Sequence, residues 1–216
     1  MRLLRTAVQF FIARPLAKFI IGMDVIGKDH LPVKGPAIIA ANHNSHIDTL
    51  ILLCLFPTRV LHHVKPVGAA DHFLKNRFMK WISLNIIGMI PIERKLSGEG
   101  KDLLEDCRKA LDDEKILVIF PEGSRGEAEE ISDFKTGVAR LASSFPNCRV
   151  HPVYIQGAGR VLPRGSKMLV PFNCTAVVGE CLSWGEDSED DRHVFMDKLK
   201  LTIEDLKKDA VPLRWE

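Results

Sequence analysis

The sequence lacks most features that would place it at once. It has no run of the roughly 18 apolar residues that a membrane-crossing helix needs. Its longest stretches free of Lys, Arg, Asp and Glu, "GPAIIAANHNSHI" and "WISLNIIGMIPI", both fall short of that. There is no C-x-x-C. The five cysteines, at positions 54, 107, 148, 174 and 181, are scattered and odd in number. They read as reduced thiols in a cytosolic protein, not as a disulfide or zinc framework. Charge of one sign is also lacking: the formal net charge is +2, so nothing global points to nucleic acid. There is no internal repeat, no low-complexity segment, no G-x-G-x-x-G, no P-loop lysine motif and no G-x-S-x-G nucleophile elbow.

What is present is an ordinary globular composition, 46% hydrophobic and 27% charged over 216 residues, which suits a sizeable core in one large domain or in one domain with a small appendage. Residues 1–23 differ from the rest. They carry Arg2, Arg5, Arg14 and Lys18 with no acid before Asp24. Leu3, Leu4, Val8, Phe11, Ile12, Leu16, Phe19 and Ile20 recur at helical spacing, with Pro15 breaking the run. A secretory signal keeps its apolar centre free of charge, and Arg14 interrupts this one. The pattern predicts an amphipathic helical pair lying on an anionic membrane; the alternative is a pair packed on the protein's own core. From residue 24 onward, strand-like pieces ("AIIAA", "RVLHHVKPV", "MIPIER", "ILVIF", "VHPVYI", "TAVVGE") alternate with helical patterns near 48–56, 71–84, 99–113, 134–144 and 189–208. That alternation predicts an α/β fold, a mainly parallel central sheet flanked by helices.

Sites in such folds form where strands end at their carboxyl edge. "PAIIAA" runs directly into "NHNSHID", residues 42–48. Turn chemistry explains the Asn, Ser and Asp but not the histidines. His43 and Asp48 are five apart, about 140° around a regular helix. They meet only if His43 lies in the turn and Asp48 in the first helical turn. Such a pair suits proton abstraction, the carboxylate fixing the imidazole tautomer. Two other readings stand beside it: Ser45 and Asp48 as a helix-capping pair, and His43, His46 and Asp48 as metal ligands.

Three further strand ends bear on the choice: "GMIPIER" (88–94), "FPEGSRGE" (120–127) and "VHPVYI" (150–155). With "NHNSHID", this ordered set resembles the glycerolipid acyltransferase family. Its blocks are matched by Asn42–Asp48, Gly88–Arg94, Phe120–Arg125 and Val150–Val153. "DFKTGVARLA" (133–142) resembles the segment after the third block. Two departures, Pro91 near an aromatic position and His151 at an aliphatic one, touch the acceptor pocket by analogy. The resemblance implies an acyl thioester donor (acyl-coenzyme A or acyl carrier protein) and a lysophospholipid acceptor, most often 1-acylglycerol 3-phosphate, with another lysolipid as the alternative. It implies His43 as general base and Asp48 as its orienter. Arg94 and Arg125 are candidates for the acceptor's phosphate or head group, Glu122 for holding a hydroxyl or organising the loop, and Gly123 for letting the backbone approach closely, with Ser124 in the same substrate-binding set and Lys65 as a neighbour. No metal or cofactor is implied. The expected division is a membrane-associating segment, 1–23, and a catalytic domain, 24–216, peripheral or monotopic at the cytoplasmic face of a membrane. A non-catalytic membrane-binding module is the reading from another class.

Overall fold

The computed structural model describes residues 2–15, 22–73, 76–93, 102–127, 129–162, 170, 172–185 and 191–210. At its centre is an eight-stranded sheet. The strands are β1 (Asp24–Ile26), β2 (Ala37–Ala41), β3 (Val64–Ala69), β4 (Ile90–Ile92), β5 (Ile116–Ile119), β6 (Arg149–Gln156), β7 (Thr175–Val178) and β8 (Leu182–Ser183). Their order is β1-β7-β6-β2-β5-β3-β4, with β8 also on β6. Five of the seven pairings are parallel; β6 runs antiparallel to β7 and β8.

The middle strands are apolar throughout because both faces of the sheet are covered. In β2, Ala37, Ile39 and Ala41 join the core on one side and Ile38 and Ala40 join it on the other. β5 divides likewise, with Ile116 and Val118 against Leu117. The first face packs α2 (Asp48–Leu55) through Ile51, Leu52 and Leu55. The second packs α5 (Glu105–Asp112), α6 (Gly137–Ser144) and α8 (Arg192–Leu206) through Cys107, Leu111, Leu141 and Leu199. Each fully buried Leu or Ile side chain contributes about 1.5–3 kcal/mol relative to exposure. The mainly parallel, helix-flanked sheet is the architecture that the alternation predicts.

Local differences have local causes. The strand expected at 59–67 begins only at Val64; residues 57–63 coil through successive turns, with Val60 N donating to Pro57 O at 2.9 Å and His63 N to Val60 O at 2.9 Å. The helix expected over 71–84 is two helices, α3 (Ala70–Phe73) and α4 (Arg77–Ile82), the second running on through a π-helical turn, Ser83–Ile87. Asn76 is extended and caps α4 by accepting from Met79 N at 2.7 Å, a favourable N-cap that restarts the helix there. A short α7 (Ala158–Val161) follows β6.

The N-terminal segment forms α1 (Arg2–Val8) and a π-helical turn, Gln9–Ala13. The second half of the expected pair, 16–21, lies outside the described residues. The helix packs with its polar side inward. Arg5 and Gln9 are buried, Arg5 Nη2 donating to Val64 O at 2.9 Å and Gln9 Nε2 to Cys54 Sγ at 3.3 Å. Arg14 Nη2 donates to Phe56 O at 2.7 Å. Burial lowers the Arg5 guanidinium to about 10. Leu3, Phe10, Phe11 and Ile12 face out, Leu3 being 87% and Phe11 73% exposed. Phe78, Met79, Trp81 and Leu84 of α4 and its π turn are exposed too, and α1 packs against that turn. Among the described residues, no helix is long and apolar enough to cross a membrane.

Candidate active site

Because β2, β5, β3 and β4 are mutually parallel, the segments that follow them leave from one edge of the sheet. "NHNSHID" follows β2 and "FPEGSRGE" follows its neighbour β5. In-register pairing of Ala40 with Ile119 therefore sets His43 beside Glu122. This is a juxtaposition of residues 79 apart in sequence.

The turn is built residue by residue. Asn42 continues the β2–β6 pairing past its last backbone pair: Oδ1 accepts from Ile155 N at 2.7 Å and Nδ2 donates to Ile155 O at 2.9 Å. Asn44 Nδ2 donates to the carbonyls of Glu127 and, at 3.0 Å, Glu130. Asp48, 1% exposed at the start of α2, gathers the loop on one oxygen. Its Oδ2 accepts from Asn44 N, from Ser45 N and from the His43 imidazole Nδ1, each at 2.8 Å. The capping reading is thus half present. The carboxylate reaches back to Ser45 N as in a capping box, but Ser45 Oγ donates to Leu162 O at 3.2 Å and not to the helix. The same carboxylate holds the histidine.

His43 also stacks on Phe120, ring centroids 4.0 Å apart at 16°. With Nδ1 committed, Nε2 is the nitrogen left for a ligand. His43 lines a cavity of about 700 Å³ with His46, Leu50 and Leu53 near it, Ile87, Met89 and Ile92 from the α4–β4 side, and Gly123, Ser124, Arg125 and Lys135. Asp71 and Glu93 reach the same cavity from the ends of β3 and β4. Of the apolar stretches at 49–57 and 78–90, this brings Leu50, Leu53, Ile87 and Met89 to the wall.

Gly123, Ser124 and Arg125 stand at the cavity with His43. Gly123 has φ +72°, a backbone that favours glycine. Glu122 does not line the cavity. It is buried, with Oε1 accepting from His43 N at 2.8 Å and Oε2 from Ser132 N at 3.2 Å, so it ties the two loops together. Lys65 lies in β3, also outside the lining; burial, then the charges of Arg5 and Lys115, lowers its ammonium. Arg94 lies outside the described residues. His151 is buried in β6 with Nδ1 2.7 Å from His30 O, outside the lining as well. Among the described residues no group of three or more His, Cys, Asp or Glu is arranged to hold a metal ion, His43, His46 and Asp48 included. Sequence reading passed over Phe120, Asn42 as a strand clamp, and Lys135. The lysine's signal was its place in "DFKTG", just after the third block.

Comparisons with known proteins bear on the family and the fold. A family model described as Acyltransferase matches residues 22–156. A chloroplastic 1-acyl-sn-glycerol-3-phosphate acyltransferase of Arabidopsis thaliana is 26% identical over 162 residues, 72% of this chain and 42% of that protein. A 1-acyl-sn-glycerol-3-phosphate acyltransferase of Helicobacter pylori is 30% identical over 122 residues, 56% of this chain and 48% of that protein. The chain thus spans less than half the length of these curated relatives. The crystal structure of the 1-acyl-sn-glycerophosphate acyltransferase PlsC from Thermotoga maritima shares the fold, with a TM-score of 0.68 at 20% identity over 100% of this chain and 88% of that one. With the family model covering more than half of its length, the chain belongs to the acyltransferase family.

Proposed function

We propose that this chain moves a fatty acyl group from an acyl thioester of coenzyme A or acyl carrier protein to the free hydroxyl of 1-acylglycerol 3-phosphate, giving phosphatidic acid. The observation that carries the reading is the 2.8 Å bond between His43 Nδ1 and Asp48 Oδ2 at the cavity wall. A carboxylate accepts only from Nδ1–H, so the lone pair sits on Nε2, the nitrogen left for the cavity. Nε2 takes the proton of the acceptor hydroxyl as its oxygen attacks the thioester carbonyl. The tetrahedral oxyanion collapses, the C–S bond breaks, and the imidazolium returns its proton to the leaving thiolate. No acyl-enzyme forms, and no cofactor is called for, because the thioester is already activated.

Arg125, with Gly123 and Ser124, would receive the acceptor's phosphate, and Arg94 remains a proposed second guanidinium for it. Glu122 organises the loop. Leu50, Leu53, Ile87 and Met89 would take the acyl chain. Residues 1–23 would act as a membrane-associating segment ahead of a catalytic domain spanning 24–216. The outward apolar faces of α1 and α4, flanked by Arg77 and Lys80, support docking on an anionic bilayer. Coenzyme A and acyl carrier protein are water-soluble, so the domain would face the compartment that holds them, the cytoplasmic side. The Asp71 and Glu93 carboxylates at the cavity favour one second reading, an acceptor that also carries an amine, such as lyso-ornithine lipid.

The test is a transfer assay. Purified protein and its His43→Ala variant meet labelled acyl-coenzyme A or acyl carrier protein and a panel of lysolipids. Diacyl product from 1-acylglycerol 3-phosphate, lost in the folded variant, is expected. Near-normal turnover by the variant would sink the mechanism; product only from an amine-bearing lysolipid would move the substrate. No product with any acceptor would favour the binding-module reading.

A further inference from the structure

The cavity receives two cations from the β5 side. Arg125 was expected there. Lys135, from the segment leading into α6, was not. Its backbone is pinned, Lys135 N donating to Pro121 O at 2.9 Å, and its side chain lies across the bare face of Gly123. A Cβ on Gly123 would stand 2.7 Å from Lys135 Nζ and 3.0 Å from its Cε. Glycine at this point therefore serves two ends: it accepts φ +72° and it leaves the lysine room to reach the cavity. Asp71 and Glu93 enter the same space from the ends of β3 and β4, so the two cations are grouped on the β5 side of the cavity.

We propose that Lys135 is a further ligand for the acceptor's phosphate, paired with Arg125 across Gly123; this rests on the reading that the acceptor carries a phosphate. A phosphomonoester bears a charge of about −1.5 to −2 near neutral pH, more than one guanidinium balances. Arginine offers a planar, two-pronged donor and lysine a compact point charge, and the two engage different oxygens of one phosphate without competing. The lysine thereby selects phosphate-bearing acceptors over neutral monoacylglycerols.

Steady-state kinetics of the wild type, Lys135→Met and Lys135→Arg test this against 1-acylglycerol 3-phosphate and the phosphate-free 1-acylglycerol. Removing one charge-assisted bond at this exposed lysine raises KM for the phosphate-bearing acceptor roughly tenfold, with a smaller change in kcat and none in KM for the acyl donor. Lys135→Arg recovers most of the loss. An unchanged KM, or a rise shared equally by 1-acylglycerol, would overturn the assignment, since a purely structural lysine does not discriminate on phosphate. A second arm needs no turnover. Amine acylation of Lys135 by a soluble active ester, followed by mass spectrometry, should be slowed by inorganic phosphate and by 1-acylglycerol 3-phosphate but not by 1-acylglycerol. Lack of protection counts against the lysine. Failure of the wild type to acylate 1-acylglycerol 3-phosphate at all counts instead against the proposed function, and the labelling arm then judges Lys135 alone.

Discussion

Asp48→Asn is the sharpest perturbation of the site, because one buried oxygen does three things. Oδ2 takes the Asn44 and Ser45 backbone N–H groups and the His43 imidazole, each at 2.8 Å, and Asp48 is 1% exposed. The asparagine amide has two settings. With its oxygen in the Oδ2 place, it keeps neutral hydrogen bonds and buries its NH2 where Oδ1 finds no partner among the described residues, at about 1–3 kcal/mol for the unsatisfied donors. With the amide turned, the NH2 faces two N–H donors and forces Nδ1 to accept, which puts the ring proton on Nε2 and removes the proposed base. Either way the imidazolium loses its anionic partner. The analogous change in a serine-protease triad costs about 10⁴ in kcat. Here roughly 10³–10⁴ is expected, or about 4–5.5 kcal/mol of transition-state stabilisation. The assay is kcat/KM of the wild type, Asp48→Asn, His43→Ala and the double variant, with thermal unfolding alongside. If Asp48 acts through His43, the double variant is little worse than His43→Ala alone. Turnover of Asp48→Asn within tenfold of wild type, or losses that simply add, would refute the reasoning.

Two further outcomes follow from the packing. Glu122→Gln turns one of two accepting oxygens toward an N–H donor in a buried setting, so a loss of about 2 kcal/mol should lower Tm by about 4–8 °C in a domain of this size. An unchanged Tm would return Glu122 to the role of substrate ligand. Phe11 and Phe78, 73% and 70% exposed, are expected to bury apolar area in a bilayer. The Phe11→Ser, Phe78→Ser double variant should weaken flotation with anionic vesicles on the order of tenfold or more, and equal flotation would reject that surface.

The α/β class, the strand-end position of the candidate site and the His43–Asp48 contact were legible without the fold. These rest on local signals: apolar strands, period-3.6 helices, and polar turn residues placed right after a buried run. "AIIAA" and "ILVIF" announce buried strands without any knowledge of their neighbours. What sequence left open was the use of each residue, because that depends on partners far along the chain. Asp48 read as cap, base-orienter or metal ligand until the turn closed and showed one oxygen serving both the loop and the imidazole. Glu122 read as either a hydroxyl ligand or an organiser of its loop, and the in-register pairing of β2 and β5 puts it under His43 N. The N-terminal helix read as amphipathic, but which face turned inward was decided by Val64 O, Cys54 and Phe56 O, which take its polar side. Lys135 carried no spacing signal toward His43 at all. Only the fold, by laying its side chain over Gly123, brought it to the same cavity, because long-range register is a property of the assembled sheet and not of any short stretch.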